Sequence, residues 1–226
     1  MARDEKVKVN QEKNHLNNTT ATPVLRAKKL QFQYPGQPLF EDFSASVMPG
    51  ITLVCGGSGR GKSTLLRLLA GALLPSAGEL CINDIRLQDQ PVAYRQQVLW
   101  TEPHTDAFDP LTALEYFALQ RREHGGFAKD HLDALVDGLS LAPHIDKPLY
   151  MLSTGSKRKV WLAAAFASDA AVTLLDEPFA ALDTPSTDFV LDMLGAAAAH
   201  PARAWVLTHY EAPGKVQLSG TIDLGD

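Results

Sequence analysis

The sequence predicts an α/β fold: a core sheet buried between layers, an antiparallel β layer beside it, and a small helical part. Three observations predict it. Gly50-Ile51-Thr52-Leu53-Val54-Cys55 is a short apolar, β-branched run; a glycine-rich stretch follows it, and Leu65-Leu66-Arg67-Leu68-Leu69-Ala70-Gly71 then reads as a buried helix. Val172-Thr173-Leu174-Leu175 and Ala204-Trp205-Val206-Leu207-Thr208 are apolar runs suited to strands covered on both faces. Leu30-Gln31-Phe32-Gln33-Tyr34 and Phe43-Ser44-Ala45-Ser46-Val47 alternate apolar and polar residues on either side of a Pro35-Gly36 turn, the pattern of a half-buried antiparallel layer.

In chain order, Met1 to about Pro23 is polar and charged with no apolar periodicity, which predicts a disordered extension over 1–23, and ordered structure is expected from Val24. After the buried helix, Pro75-Ser76-Ala77-Gly78 breaks the chain and Glu79-Leu80-Cys81-Ile82 forms another short strand. From Leu111-Thr112-Ala113-Leu114-Glu115-Tyr116-Phe117 to about Leu149 the pattern is helical, so a helical part over about 103–160 is expected inside one domain spanning 24–226. A chain of 226 residues that is 45% hydrophobic fits one domain with a sizeable core.

Gly56, Gly61, Lys62 and Ser63 fill the pattern G-x-x-x-x-G-K-[ST]. The glycines Gly56, Gly57, Gly59 and Gly61 let the backbone curl so that several N–H groups face one phosphate, with the N-terminal end of the next helix behind them. A nucleoside triphosphate is therefore expected against Gly56, Gly57, Ser58, Gly59, Arg60, Gly61, Lys62, Ser63 and Thr64. Lys62 adds a mobile positive charge, and the Ser63 hydroxyl is placed to ligate magnesium (Mg2+) shared with the phosphates. Asp176 and Glu177 directly follow a buried run, at the strand end where α/β sheets place their ligand sites. Asp176 is expected to hold the magnesium and Glu177 to act as general base on the attacking water.

Leu152-Ser153-Thr154-Gly155-Ser156, followed by Lys157-Arg158-Lys159, resembles the LSGGQ signature of the ATP-binding cassette (ABC) family, with Thr154 and Ser156 departing from it. The resemblance implies that Ser153 and Gly155, at a helix N-terminus, bind the γ-phosphate of an ATP held by the opposite subunit. Ala180-Ala181-Leu182-Asp183 resembles the family's D-loop, Thr208-His209 its switch histidine, and Tyr34, roughly twenty residues before the glycine loop, the aromatic that stacks on adenine. A helix cap at Asp183, a strand-end histidine at His209 and core filling at Tyr34 are the alternatives. The family's magnesium-sensing glutamine aligns with Glu102, after Val98-Leu99-Trp100-Thr101; Gln96 and Gln97 are the other candidates for that position. Glutamate there keeps an acceptor oxygen and adds a negative charge beside the metal.

The family resemblance implies a P-loop NTPase fold of the ABC type with a RecA-like core sheet. It implies an ATP-binding and ATP-hydrolysing subunit of an ABC transporter that pairs head to tail with a second cassette, as a homodimer, and drives a transmembrane permease subunit. The compact chain is similar to the single cassettes that include the haem exporter ATPase of cytochrome c maturation. A soluble ABC ATPase with a regulatory or assembly role, and a cassette that binds ATP with little hydrolysis, are the alternative functions. A net charge of −5 without a basic run leaves nucleic acid unexpected as a partner. No apolar stretch reaches the roughly 20 residues that cross a bilayer, so a cytoplasmic position, peripheral to the membrane through the permease, is expected. The two cysteines, Cys55 and Cys81, read as buried thiols, and the seven scattered histidines offer no ligand cluster, so magnesium is the only metal expected.

Overall fold

The computed structural model describes residues 22–102 and 105–226, and the extension expected over 1–23 falls, up to residue 21, outside the described residues. Strands β1 (Leu25–Tyr34), β2 (Gln37–Val47), β4 (Ala77–Ile82) and β5 (Ile85–Arg86) form an antiparallel sheet in the order β2-β1-β4-β5. Strands β3 (Gly50–Cys55), β6 (Val98–Thr101), β7 (Val172–Asp176), β8 (Ala204–Thr208) and β9 (Leu218–Asp223) form a parallel sheet in the order β6-β7-β8-β3-β9. The expected antiparallel layer and core sheet are both present.

Side chains alternate across a strand, so a strand buried on both faces must feed two cores. Leu175, Trp205 and Leu207 pack into one cluster with Ile51 and Leu53, while Val172, Leu174, Ala204 and Val206 pack into another with Val54. That second cluster takes in Leu65, Leu66, Leu68 and Leu69 of helix α1 (Lys62–Leu69) together with Leu25, Leu30, Leu80 and Ile82 of the antiparallel sheet. Helix α1 is thus clamped between the two sheets, and all four of its leucines are at most 1% exposed. Its C-terminal end is closed by Tyr94, a fully buried residue of helix α2 (Pro91–Gln96), whose hydroxyl donates to the Leu69 carbonyl at 2.7 Å.

The first cluster lies on the other face of the parallel sheet. Between β6 and β7 the chain forms helices α3 (Ala113–His124), α4 (Lys129–Gly138) and α5 (Thr154–Ala167), with short 3-10 turns at Ala142–His144 and Leu149–Met151. Thr112 starts α3 with a capping box, its hydroxyl accepting from the Glu115 amide while Glu115 accepts from the Thr112 amide. Helix α5 buries every residue from Val160 to Ala167, and helix α6 (Thr184–Ala198) adds Val190 and Leu194 to the same cluster. Neither cysteine is fully buried: Cys55 and Cys81 are both partly exposed, because Cys55 ends β3 beside the glycine loop and Cys81 lies on the outer sheet.

Candidate active site

The glycine loop joins β3 to α1, so the ends of two buried elements fix it. Gly61 is the N-cap of α1 in the left-handed region (φ 92°), and a Cβ there would come within 2.9 Å of the Leu39 side chain. Lys62 folds back over the loop, its ammonium donating to the carbonyls of Gly56 at 2.7 Å and Gly57 at 2.9 Å. The Gly57 amide donates to the Gly225 carbonyl at 2.8 Å, tying the loop to the chain just after β9. Ser58, Gly59 and Ser63 are exposed, and Arg60 is partly so. Tyr34, at the end of β1, brings its hydroxyl to 3.2 Å from the Thr64 hydroxyl and stands edge-on to Phe32, with 38% of its surface exposed. Its place is beside the glycine loop, and core filling does not describe it.

Asp176 closes β7 and is 7% exposed, whereas Glu177 is exposed and adopts a left-handed conformation, φ 46°, where an L side chain costs energy. Two groups outside the sequence-derived set hold this turn. The Thr208 hydroxyl donates to Asp176 Oδ1 at 2.7 Å and accepts from the Glu177 amide at 2.8 Å. The Arg158 guanidinium, buried on α5, donates from Nη1 to the carbonyls of both Asp176, at 3.2 Å, and Glu177. Burial pulls the Arg158 guanidinium below its ordinary range, against the pull of the Glu177 and Asp176 carboxylates. His209 follows β8, its amide donating to the Val54 carbonyl at 3.2 Å and its ring edge-on to Phe179 at 5.3 Å. The switch-histidine candidate therefore adjoins the start of the glycine loop and the segment after Glu177.

One cleft of about 430 Å³ collects Ser63, Glu102, Thr154, Arg158, Asp176 and Glu177 among its walls. The Ser63 hydroxyl and the Asp176 carboxylate are the hard oxygen donors that a magnesium ion takes. No group of three or more His, Cys, Asp or Glu among the described residues is arranged to hold a metal by itself. A cation in this cleft would therefore complete its shell with phosphate and water, the usual habit of magnesium. Glu102 lies just past β6 at the cleft, while Gln96 ends α2 and Gln97 caps it, so the cleft position belongs to Glu102. Its Oε1 is engaged by Arg67 Nη2 of α1 at 2.7 Å.

Ser153, Gly155 and Asp183 do not line that cleft. Ser153 is the exposed N-cap of α5, its hydroxyl accepting from the Ser156 amide at 3.1 Å. A Cβ on Gly155 would sit 2.5 Å from the Ala181 carbonyl, so the small residue lets the start of α5 pack on the segment before α6. Asp183 is indeed a helix cap, accepting from the Ser186 amide at 2.9 Å, and it also pairs with Lys159 at 2.6 Å. The hydrogen bond from Lys159, followed by those from Ser186, holds the Asp183 carboxyl well below the usual carboxylate range.

A parallel sheet with a glycine loop leading into a clamped helix, and paired carboxylates ending the neighbouring strand but one, is the architecture of a P-loop nucleoside triphosphatase. A family model described as ABC transporter matches residues 40–180. The chain is 33% identical over 193 residues to the cytochrome c biogenesis ATP-binding export protein CcmA of Pseudomonas syringae pv. syringae, a match covering 84% of this chain and 90% of that one. It is 35% identical over 178 residues to the taurine import ATP-binding protein TauB of Pseudomonas fluorescens, covering 76% of this chain and 66% of that one. Among solved structures, an ATP-binding subunit of an ABC transporter superposes with a TM-score of 0.74 at 26% identity, covering 83% of this chain and 79% of that one. The chain belongs to the ABC transporter family. It is an ATP-binding, ATP-hydrolysing cassette of that family.

Proposed function

We propose that the chain powers a separate transmembrane permease by closing head to tail on a second copy of itself around two ATP molecules. The observation that carries this reading is the division of the site. Ser63, Asp176 and Glu177 share one cleft with Thr154, the first residue of α5, whereas Ser153, Gly155 and Asp183 stand outside it at the N-termini of α5 and α6, where the helix dipole would favour phosphate carried by another molecule. In the closed pair, Lys62 trades its loop carbonyls for phosphate oxygens, and Tyr34 lies against the adenine. Ser63 and Asp176 hold magnesium, which when bound neutralises phosphate charge. Glu177 takes the proton of the attacking water as general base, with its backbone fixed by Thr208 and Arg158, and His209 contacts the γ-phosphate.

No helix among the described residues is long and apolar enough to cross a membrane, so a membrane path would come from a partner. A groove of about 210 Å³ lined by Phe108, Tyr116, Trp161 and Trp100 adjoins the cleft and shares Trp100 and Glu102 with it. This groove is where we place the permease contact, with helices α3 to α5 moving as the helical part of the domain. Asp109, beside it, is paired with Lys157 of the signature helix at 2.5 Å, which gives a load on the groove a direct connection to Ser153 and Gly155. The long match to cytochrome c biogenesis export proteins favours an exporter of that group, acting on the cytoplasmic face of the membrane. Phe108→Glu and Asp109→Lys are expected to lower permease assembly and permease-stimulated ATP hydrolysis by about tenfold while sparing hydrolysis by the isolated subunit. Copurification and stimulated activity unchanged in both variants would contradict the placement.

A further inference from the structure

Glu102 brings a formal negative charge to a cleft that must accept a triphosphate, and the structure answers that charge from within the same wall. Arg67 Nη2 lies 2.7 Å from Glu102 Oε1, and both side chains line the cleft with Ser63, Asp176 and Glu177. The Arg67 guanidinium has no other side-chain partner among the described residues, nor has the Glu102 carboxylate. The two side chains are 41% and 34% exposed, so the pair is a half-solvated one of the kind that adds little to folding stability. Its effect is on the charge of the cleft. An unpaired carboxylate there would repel phosphate and attract a divalent cation; an unpaired guanidinium would do the reverse.

We propose that Arg67 and Glu102 act as one neutral unit, with Arg67 a positioning residue that cancels the charge of Glu102 and holds its carboxylate against α1. The pair then presents an acceptor oxygen to the nucleotide site without a net charge, as a neutral amide side chain would. The proposal rests on the reading of this cleft as the MgATP site.

The test is the binding of a fluorescent, non-hydrolysable ATP analogue, titrated once with magnesium and once with EDTA, and expressed as the ratio of the two affinities. Arg67→Gln is expected to raise that magnesium advantage by about three- to tenfold, because the bare carboxylate repels free analogue and draws in the cation. Glu102→Gln is expected to lower it by a similar factor. The double variant returns to within about twofold of the wild-type ratio, and Arg67→Lys, which keeps the charge, stays near it. If Arg67→Gln leaves the ratio unchanged while the double variant matches Glu102→Gln alone, Glu102 acts as a bare carboxylate and the proposal falls. It falls equally if no variant moves the ratio, the result of a purely structural pair. Failure of the wild type to bind the analogue at all would instead overturn the reading of the cleft, with the pair left out of the question.

Discussion

Lys62→Ala is expected to weaken ATP binding by about 10- to 100-fold, the loss of charge-assisted hydrogen bonds worth roughly 1.5–3 kcal/mol, and to bring hydrolysis below detection. The structure explains why the loss should fall on binding and leave folding nearly intact. Among the described residues, Lys62 Nζ hydrogen-bonds only to the Gly56 and Gly57 carbonyls of its own loop, both on partly exposed residues where water can take its place. The α1 leucines that anchor the loop are untouched, so the midpoint of thermal unfolding without nucleotide should move by no more than a few degrees. The same fluorescent-analogue titration, paired with a melting curve, checks both halves; wild-type affinity in the variant would rule out Lys62 as the phosphate-binding cation.

Arg158→Met is expected to cost about 2–4 kcal/mol of stability, because it removes a buried cation whose Nη1 serves two carbonyls and leaves both without that donor. Arg158 is 6% exposed, so water cannot readily replace it. The methionine fills much of the volume, which confines the damage to polar loss. Turnover should fall further than stability predicts, since the freed carbonyls are those of Asp176 and Glu177, and Glu177 holds a strained φ of 46° that depends on outside support. Chemical denaturation gives the first quantity and ATP hydrolysis at a temperature where the variant is folded gives the second. Full activity in a folded Arg158→Met protein would show that the turn needs no such clamp.

These two residues mark the boundary of what can be read in the chain itself. Lys62 and its loop are legible because their pattern is local: the glycines, the cation and the hydroxyl lie within a few residues of one another. The core strands were legible for a related reason, since a strand buried on both faces must be apolar throughout, and Val172 to Leu175 feed both clusters. Ser153 and Asp183 sit at helix N-termini, where their residue types already favour capping. Arg158 reads as the middle of a basic triplet, Lys157-Arg158-Lys159, which in sequence looks like a solvated run. Only the fold sends the three apart, Lys157 to Asp109, Arg158 to the carbonyls of Asp176 and Glu177, and Lys159 to Asp183. Strand β9 escaped for want of apolar content: Leu218-Ser219-Gly220-Thr221-Ile222-Asp223 carries a weak pattern, and its order comes from pairing with β3, far away in the chain. The Arg67–Glu102 pair is of the same kind, two residues 35 apart that meet only because α1 and the end of β6 share one cleft.

Glu177 is expected to perform the proton abstraction in an ATPase that works as a pair of cassettes. Magnesium-dependent ATP hydrolysis by the purified protein over a series of ATP concentrations, run beside Glu177→Gln, decides between this role and its absence. A sigmoidal rate curve is expected for the wild type and, for the variant, intact ATP binding with turnover reduced by about 10²–10⁴-fold, the usual contribution of a general base. A variant that binds ATP and hydrolyses it at the wild-type rate would rule Glu177 out as the general base.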